Sequence, residues 1–263
     1  LKVTCPNERA VNHANRTLSA NSCGTLDVDA NVIKEAKEMN VKSVALTQSW
    51  DRIVSKGYPI TEPDYIFGLK NDGLANLEVV DGSLLINSKG KGSFSIVQDP
   101  WRPVPADGGH LGPNPGEFNR EIIDKRLDVG VFQTNPFIEN QNFSGIPIFR
   151  TSIKSDQKSF DVCLALSIVN KEGNIVNQFS TGFLRVKNAK RNELNDYEIT
   201  MHPTNIFLTK GNKLRLSISA SAYPSIGVNS GLGDEFMGAP TINHQIITLS
   251  FELSNTIMKM TPF

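Results

Sequence analysis

Three runs in the second half of the chain alternate apolar with polar residues, and no other feature restricts the possible folds so strongly. From Phe160 to Ile168 the even positions are Phe160, Val162, Leu164, Leu166 and Ile168. The odd positions Asp161, Cys163, Ala165 and Ser167 are small or polar. Lys213 to Ser221 repeats the pattern, with Leu214, Leu216, Ile218 and Ala220 opposed to Lys213, Arg215, Ser217 and Ser219. Ile247, Leu249, Phe251 and Leu253 do so again, separated by Thr248, Ser250 and Glu252. Successive side chains of a strand point to opposite faces, so each run predicts a strand with one face buried and the other wet or lightly covered.

Shorter strands are expected at 64–69, Ser83–Asn87, Ser93–Val97, Ile146–Lys154, Asn177–Val186 and Tyr197–Met201. Turn signals separate them at Asn71-Asp72-Gly73, Asp81-Gly82, Gly90-Lys91-Gly92, Glu172-Gly173-Asn174 and Lys210-Gly211-Asn212. Eight or more strands with short polar turns and almost no helix predict an all-β, two-sheet sandwich over residues 58–263. Residues 1–57 differ. They hold Asn-rich coil, a helix expected from an N-cap at Asp29 through Val32, Ile33, Ala36 and Met39, and a short strand from Val41 to Leu46. One helix and one strand cannot bury their own apolar faces, so this segment is expected to pack on the sandwich or on a further domain, with no role assigned.

The stretch from Asp99 to Thr134 joins coil to strand. Pro100, Pro103 and Pro105 remove backbone donors and fix φ, so its first part is read as an extended crossing segment. A Gly-Pro-Asn-Pro-Gly run follows. Then Val129, Val131 and Gln133 alternate with Gly130, Phe132 and Thr134 in a strand with little exposed surface.

The phrase Asp99-Pro100-x-x-Pro103-Val104-Pro105-x-x-Gly108-Gly109, followed by Arg126-x-Asp128-Val129, resembles the C-terminal domain of the Xaa-Pro dipeptidyl-peptidase and acyl esterase (CocE/NonD) family. These serine hydrolases include cocaine esterases and α-amino-acid ester hydrolases. Gly182-Phe183-Leu184-Arg185, Lys213 to Ser219 and the Ser221-Ala222-Tyr223-Pro224 corner follow the family order, so the resemblance covers roughly residues 58 to 253. It implies a jelly-roll β-sandwich, galactose-binding-domain-like, beside a catalytic α/β-hydrolase domain of the same polypeptide. That domain is the expected partner, and a homodimer stays open. The implied role is to shape the substrate entrance and support domain or dimer packing, while a Ser-His-Asp triad upstream hydrolyses an ester or peptide bond.

No catalysis is expected from this chain alone. The α/β-hydrolase nucleophile sits on a Gly-x-Ser-x-Gly elbow, and the nearest phrase, Gly227-Val228-Asn229-Ser230-Gly231, has the wrong spacing. His13, His110, His202 and His244, the last of them placed in the final strand, are read as structural or solvent-facing, because no phrase supplies a nucleophile and an orienting carboxylate. Cys5, Cys23 and His13 match no common zinc spacing, Cys5 and Cys23 are read as reduced thiols, and Cys163 as a core residue. No cofactor or metal is expected. The sequons at Asn15 and Asn142 are read as chance. Trp101, Arg102, Arg126 and Asp128 are the candidate site, either docking the hydrolase domain or anchoring the proline-rich loop.

Lys plus Arg and Asp plus Glu number 27 each, which argues against a nucleic-acid or anionic-membrane partner held by bulk charge. No apolar run is long enough for a membrane helix. The N-terminus shows neither a signal-peptide pattern nor an initiator Met, so a fragment or processed chain in the cytoplasm is expected. The rival function is a carbohydrate-binding jelly-roll module, since such sandwiches commonly bind sugars on exposed aromatics and fold alone does not settle function.

Overall fold

The long alternating runs are strands, and they are the middle of the molecule. The computed structural model describes residues 65–260 apart from 80, 109–115, 117 and 234–239. The expected N-terminal helix and strand, Cys5, Cys23, His13, the Asn15 sequon and His110 lie outside these residues.

Thirteen strands occur among the described residues: β1 Tyr65–Asn71, β2 Gly82–Ile86, β3 Ser93–Gln98, β4 Phe118–Asn119, β5 Val129–Gln133, β6 Gln141–Gly145, β7 Ile148–Ser155, β8 Phe160–Val169, β9 Val176–Val186, β10 Leu194–Thr200, β11 Thr204–Leu208, β12 Lys213–Ser219 and β13 Ile247–Met260. Eleven form one continuous sheet in the order β10-β7-β13-β1-β2-β5-β12-β8-β9-β4, with β3 also paired to β13, while β6 and β11 make a separate ribbon. The sheet curls on itself. Its β10-β7-β13-β1 half, with β3, faces the β5-β12-β8-β9 half, and the bridge Gly182–Met201 joins β9 to the residue after β10. The result is an all-β jelly-roll sandwich.

Between the halves lies one large apolar core. Leu214, Leu216 and Ile218 of β12, Val162, Leu164 and Leu166 of β8, and Leu249, Phe251 and Leu253 of β13 all belong to it. Phe94 stacks on its cross-strand partner Phe251 at 4.6 Å between centroids and meets Phe132 of the opposite layer edge-on at 5.1 Å. Gly130 makes room for this, because a Cβ there would come within 2.5 Å of the Phe94 ring. Fully burying a large apolar side chain contributes about 1.5–3 kcal/mol, so these three rings fasten the layers to each other. The turns at Gly173 and Gly211 use positive φ, 78° and 91°, as the turn signals predict.

Three expectations need correction. Alternation on β8 and β12 suggested a wet or lightly covered second face, yet Asp161, Cys163, Ala165, Ser167, Arg215, Ser217 and Ser219 are all buried. The cause is a second layer of chain laid over that face. The tight turn expected at Asn71-Asp72-Gly73 is instead the start of a longer loop, closed by Asn71 pairing with Gly82. His244 follows a 3-10 turn, Thr241–Asn243, and precedes the last strand rather than lying in it.

Candidate functional site

The proline-rich crossing segment is the covering layer, and its backbone donors can be counted. Prolines at 100, 103 and 105 leave amides at 101, 102, 104 and 106. Trp101 N–H donates to Asp99 Oδ1 (3.0 Å) and Arg102 N–H to the Asp99 carbonyl (3.0 Å). Val104 N–H donates to Ser221 Oγ (2.8 Å) and Ala106 N–H to the Tyr223 carbonyl (2.8 Å). Tyr223 N–H returns a bond to the Val104 carbonyl at 2.9 Å. Every remaining donor is therefore satisfied, which lets the segment sit on the sheet without regular structure.

Two side chains fix its outer end. Arg126 donates to Asp128 through Nε (2.8 Å) and Nη2 (2.6 Å), and its Nη2 also reaches the Arg102 carbonyl (2.8 Å). The Asp128 bonds hold the Arg126 guanidinium above its ordinary pKa, against the opposing effect of burial. Trp101 is 55% exposed, Arg102 is exposed, and the Arg102 guanidinium has no ion pair or hydrogen bond among the described residues. The four residues singled out by sequence thus meet in one place. Arg126 touches the loop and Asp128 holds Arg126 in place, while Trp101 and Arg102 are exposed.

Beneath the segment the outer face of the sheet is ordered in rows. Strand register aligns Val129, Ser219, Cys163 and Phe183, then Val131, Ser217, Ala165 and Thr181, then Gln133, Arg215, Ser167 and Gln178. Val129 and Val131 pack with Val104 and Ile123, and with the half-buried Val79 and Phe118, in a second small core. The third row is polar and meets a 3-10 turn, Ile123–Lys125. Asp124, 2% exposed, accepts from Arg120 Nε (3.2 Å), Arg215 Nη1 (3.2 Å) and Ser217 Oγ (2.8 Å). Arg120 Nη1 donates to Gln178 at 2.9 Å and Arg215 Nη2 to Gln133 at 3.1 Å. Sequence reasoning missed Arg120, Asp124 and Gln178. The one available signal was the smallness of Cys163, Ala165, Ser217 and Ser219, since a wet face has no need of small residues.

Between the segment and the first two rows is a cavity of about 300 Å³, lined among others by Val104, Asp107, Arg120, Cys163, Phe183 and Ser221. Burial, reinforced by Asp161, pushes the Cys163 thiol far up, so it stays protonated and is not a nucleophile. A third polar cluster pins the loop after β12. Asp161 accepts from Arg185 and from Asn229 Nδ2 (2.8 Å), and Ser159 donates to Asn229 Oδ1 (2.8 Å). Ser230, fully buried beside it, accepts the Leu232 amide in a local turn, which is the glycine-loop reading of that phrase. Among the described residues no group of three His, Cys, Asp or Glu could hold a metal ion.

Comparison with known proteins adds the following. Residues 27–249 match the family model of the X-Pro dipeptidyl-peptidase C-terminal non-catalytic domain. Among solved structures, an α-amino acid ester hydrolase superposes with a TM-score of 0.66 at 16% identity, over 81% of this chain and 39% of that one. An aminopeptidase from a marine sediment Thaumarchaeota archaeon gives 0.62 at 17%, over 74% of this chain and 36% of that one. A CocE/NonD family hydrolase from Staphylococcus aureus gives 0.51 at 12%, over 81% and 39%. At these identities the likeness shows the fold, and the chain spans less than two fifths of each of these proteins. No curated protein matches the sequence.

Proposed function

The chain belongs to the family of X-Pro dipeptidyl-peptidase C-terminal non-catalytic domains, and from that premise we propose that it is the sandwich domain of a larger serine hydrolase of the dipeptidyl-peptidase or acyl esterase type. In this reading residues 58–263 form the domain, the partner is an α/β-hydrolase domain of the same polypeptide, and the assembly works in the cytoplasm. The crossing segment is the docking face. Trp101 supplies apolar area and Arg102 a charge with no partner of its own, while the Arg126–Asp128 pair holds the loop carbonyl behind them. Docking through a pre-tied loop costs little conformational entropy on association. Placed against the catalytic domain, such a face would border the substrate entrance.

The observation that carries this reading is the contrast within one loop: every backbone donor of 101–106 is satisfied, yet its largest aromatic and a guanidinium stand in solvent. Two experiments test it. A nitrophenyl ester and a Xaa-Pro nitroanilide should be hydrolysed by the chain alone only at background, and turnover abolished by a serine-directed inhibitor would defeat it. The coding sequence upstream should encode a Gly-x-Ser-x-Gly hydrolase domain. Saturable glycan binding lost in Trp101→Ala would favour the carbohydrate-binding module instead.

A further inference from the structure

The cavity beneath residues 104–108 has a composition that domain docking does not require. Much of its wall is apolar, with Val104, Ala165, Phe183, Ala222 and Ile226. Into that wall comes one guanidinium, Arg120, only 6% exposed. Its Nε is taken by Asp124 and its Nη1 by Gln178, and among the described residues its Nη2 has no hydrogen-bond partner. Within its buried cluster charge does not cancel. Arg120 and Arg215 share Asp124 as their carboxylate, and Arg215 Nε is itself buried without a partner. A buried positive charge with spare donors and too little counter-charge is costly, and an anion placed beside it relieves that cost.

We propose that this cavity binds a small organic monocarboxylate, with the carboxylate on Arg120 and the apolar body against Ala165, Phe183 and Ile226. Ser221 is a second donor on the same wall, since its hydroxyl accepts the Val104 amide and retains its own proton. A volume of about 300 Å³ stands at the small end of ligand pockets and suits an acid of a few carbons. Inorganic phosphate fits poorly, because it would leave the apolar wall uncovered. Among the described residues Asp107 is the only carboxylate on the wall, and it opposes the ligand's charge. This inference stands apart from the docking reading, and either can fail without the other.

Calorimetric titration of the purified chain with sodium hexanoate, and with 1-hexanol as its uncharged counterpart, tests the assignment. Hexanoate is expected to saturate a single site with a Kd of about 1 mM or tighter, and hexanol to bind at least about tenfold more weakly. Ala222→Leu, which fills the cavity and removes no polar group, and Arg120→Gln should each weaken hexanoate about tenfold or more, whereas Asp107→Asn should tighten it about threefold. If Arg120→Gln does not fold, Ala222→Leu and Asp107→Asn decide the matter. No saturable hexanoate binding, equal affinity for hexanol, or an unchanged Kd in Ala222→Leu would overturn the proposal.

Discussion

On β13 the residues that point away from the core are Thr248, Ser250, Glu252 and Lys259, all partly exposed, and Ser250 shares a hydroxyl pair with Ser95 at 2.9 Å in solvent. On β8 and β12 the corresponding positions Asp161, Cys163, Ala165, Ser167, Arg215, Ser217 and Ser219 are all buried, and Lys213 at the start of β12 is partly exposed. Both faces follow the same alternation. Period-two patterning therefore identifies the face that meets the main core, but it leaves open whether the opposite face meets water or a second layer of chain. Residue size separates the two cases. β13 carries Glu252 and Lys259 outward, whereas β8 and β12 carry mostly small residues plus one arginine that has a buried carboxylate to meet.

Removing that carboxylate should break the contrast most severely. Asp124→Ala leaves Arg120 and Arg215 buried without their shared partner and should cost about 3–5 kcal/mol in urea unfolding. Arg126→Ala should cost about 1–2 kcal/mol by the same measurement, less than the buried cluster because that side chain keeps 29% of its surface in water.

A pH series sharpens the comparison on the buried side. The folded chain keeps the Cys163 proton that the unfolded chain releases, so this stabilisation is complete below the ordinary thiol range and is lost as pH rises above it towards the raised folded-state value. Unfolding free energy should fall by about 1.4 kcal/mol per pH unit from this group above that range, a slope that Cys163→Ala abolishes. Ser221→Ala strands the Val104 amide and should cost about 1 kcal/mol. On the wet face Glu252→Ala should change stability by less than about 0.5 kcal/mol.

Much of the inner architecture was legible before the fold was known. β8, β12 and β13 stand out by alternation, and β2, β3, β7, β9 and β10 lie within a few residues of where their composition puts them. Pairing was less accessible: β2 and β3 look like neighbours but join different partners, β2 pairing with β1 and β3 with β13. β4 escaped notice because Phe118–Asn119 is too short to show a period, and β6 and β11 because a two-stranded ribbon at the margin needs no strong pattern.

At the candidate site, the prolines announced the crossing segment and Arg126 and Asp128 announced their own pairing by proximity. Arg120 and Asp124 are also a local pair, four residues apart, but their other partners carried no such signal. Asp124 meets Arg215 across 91 positions of sequence, and Arg120 meets Gln178 across 58, distances over which no local spacing carries information.

The outer face of β8 and β12 is a covered layer, unlike that of β13. Single cysteines at Ser217→Cys and Ser250→Cys, labelled with a maleimide and read by peptide mapping, test it directly. Position 250 should label close to the rate of the unfolded chain, and position 217 slower by about 100-fold or more. Comparable rates at the two positions would contradict it.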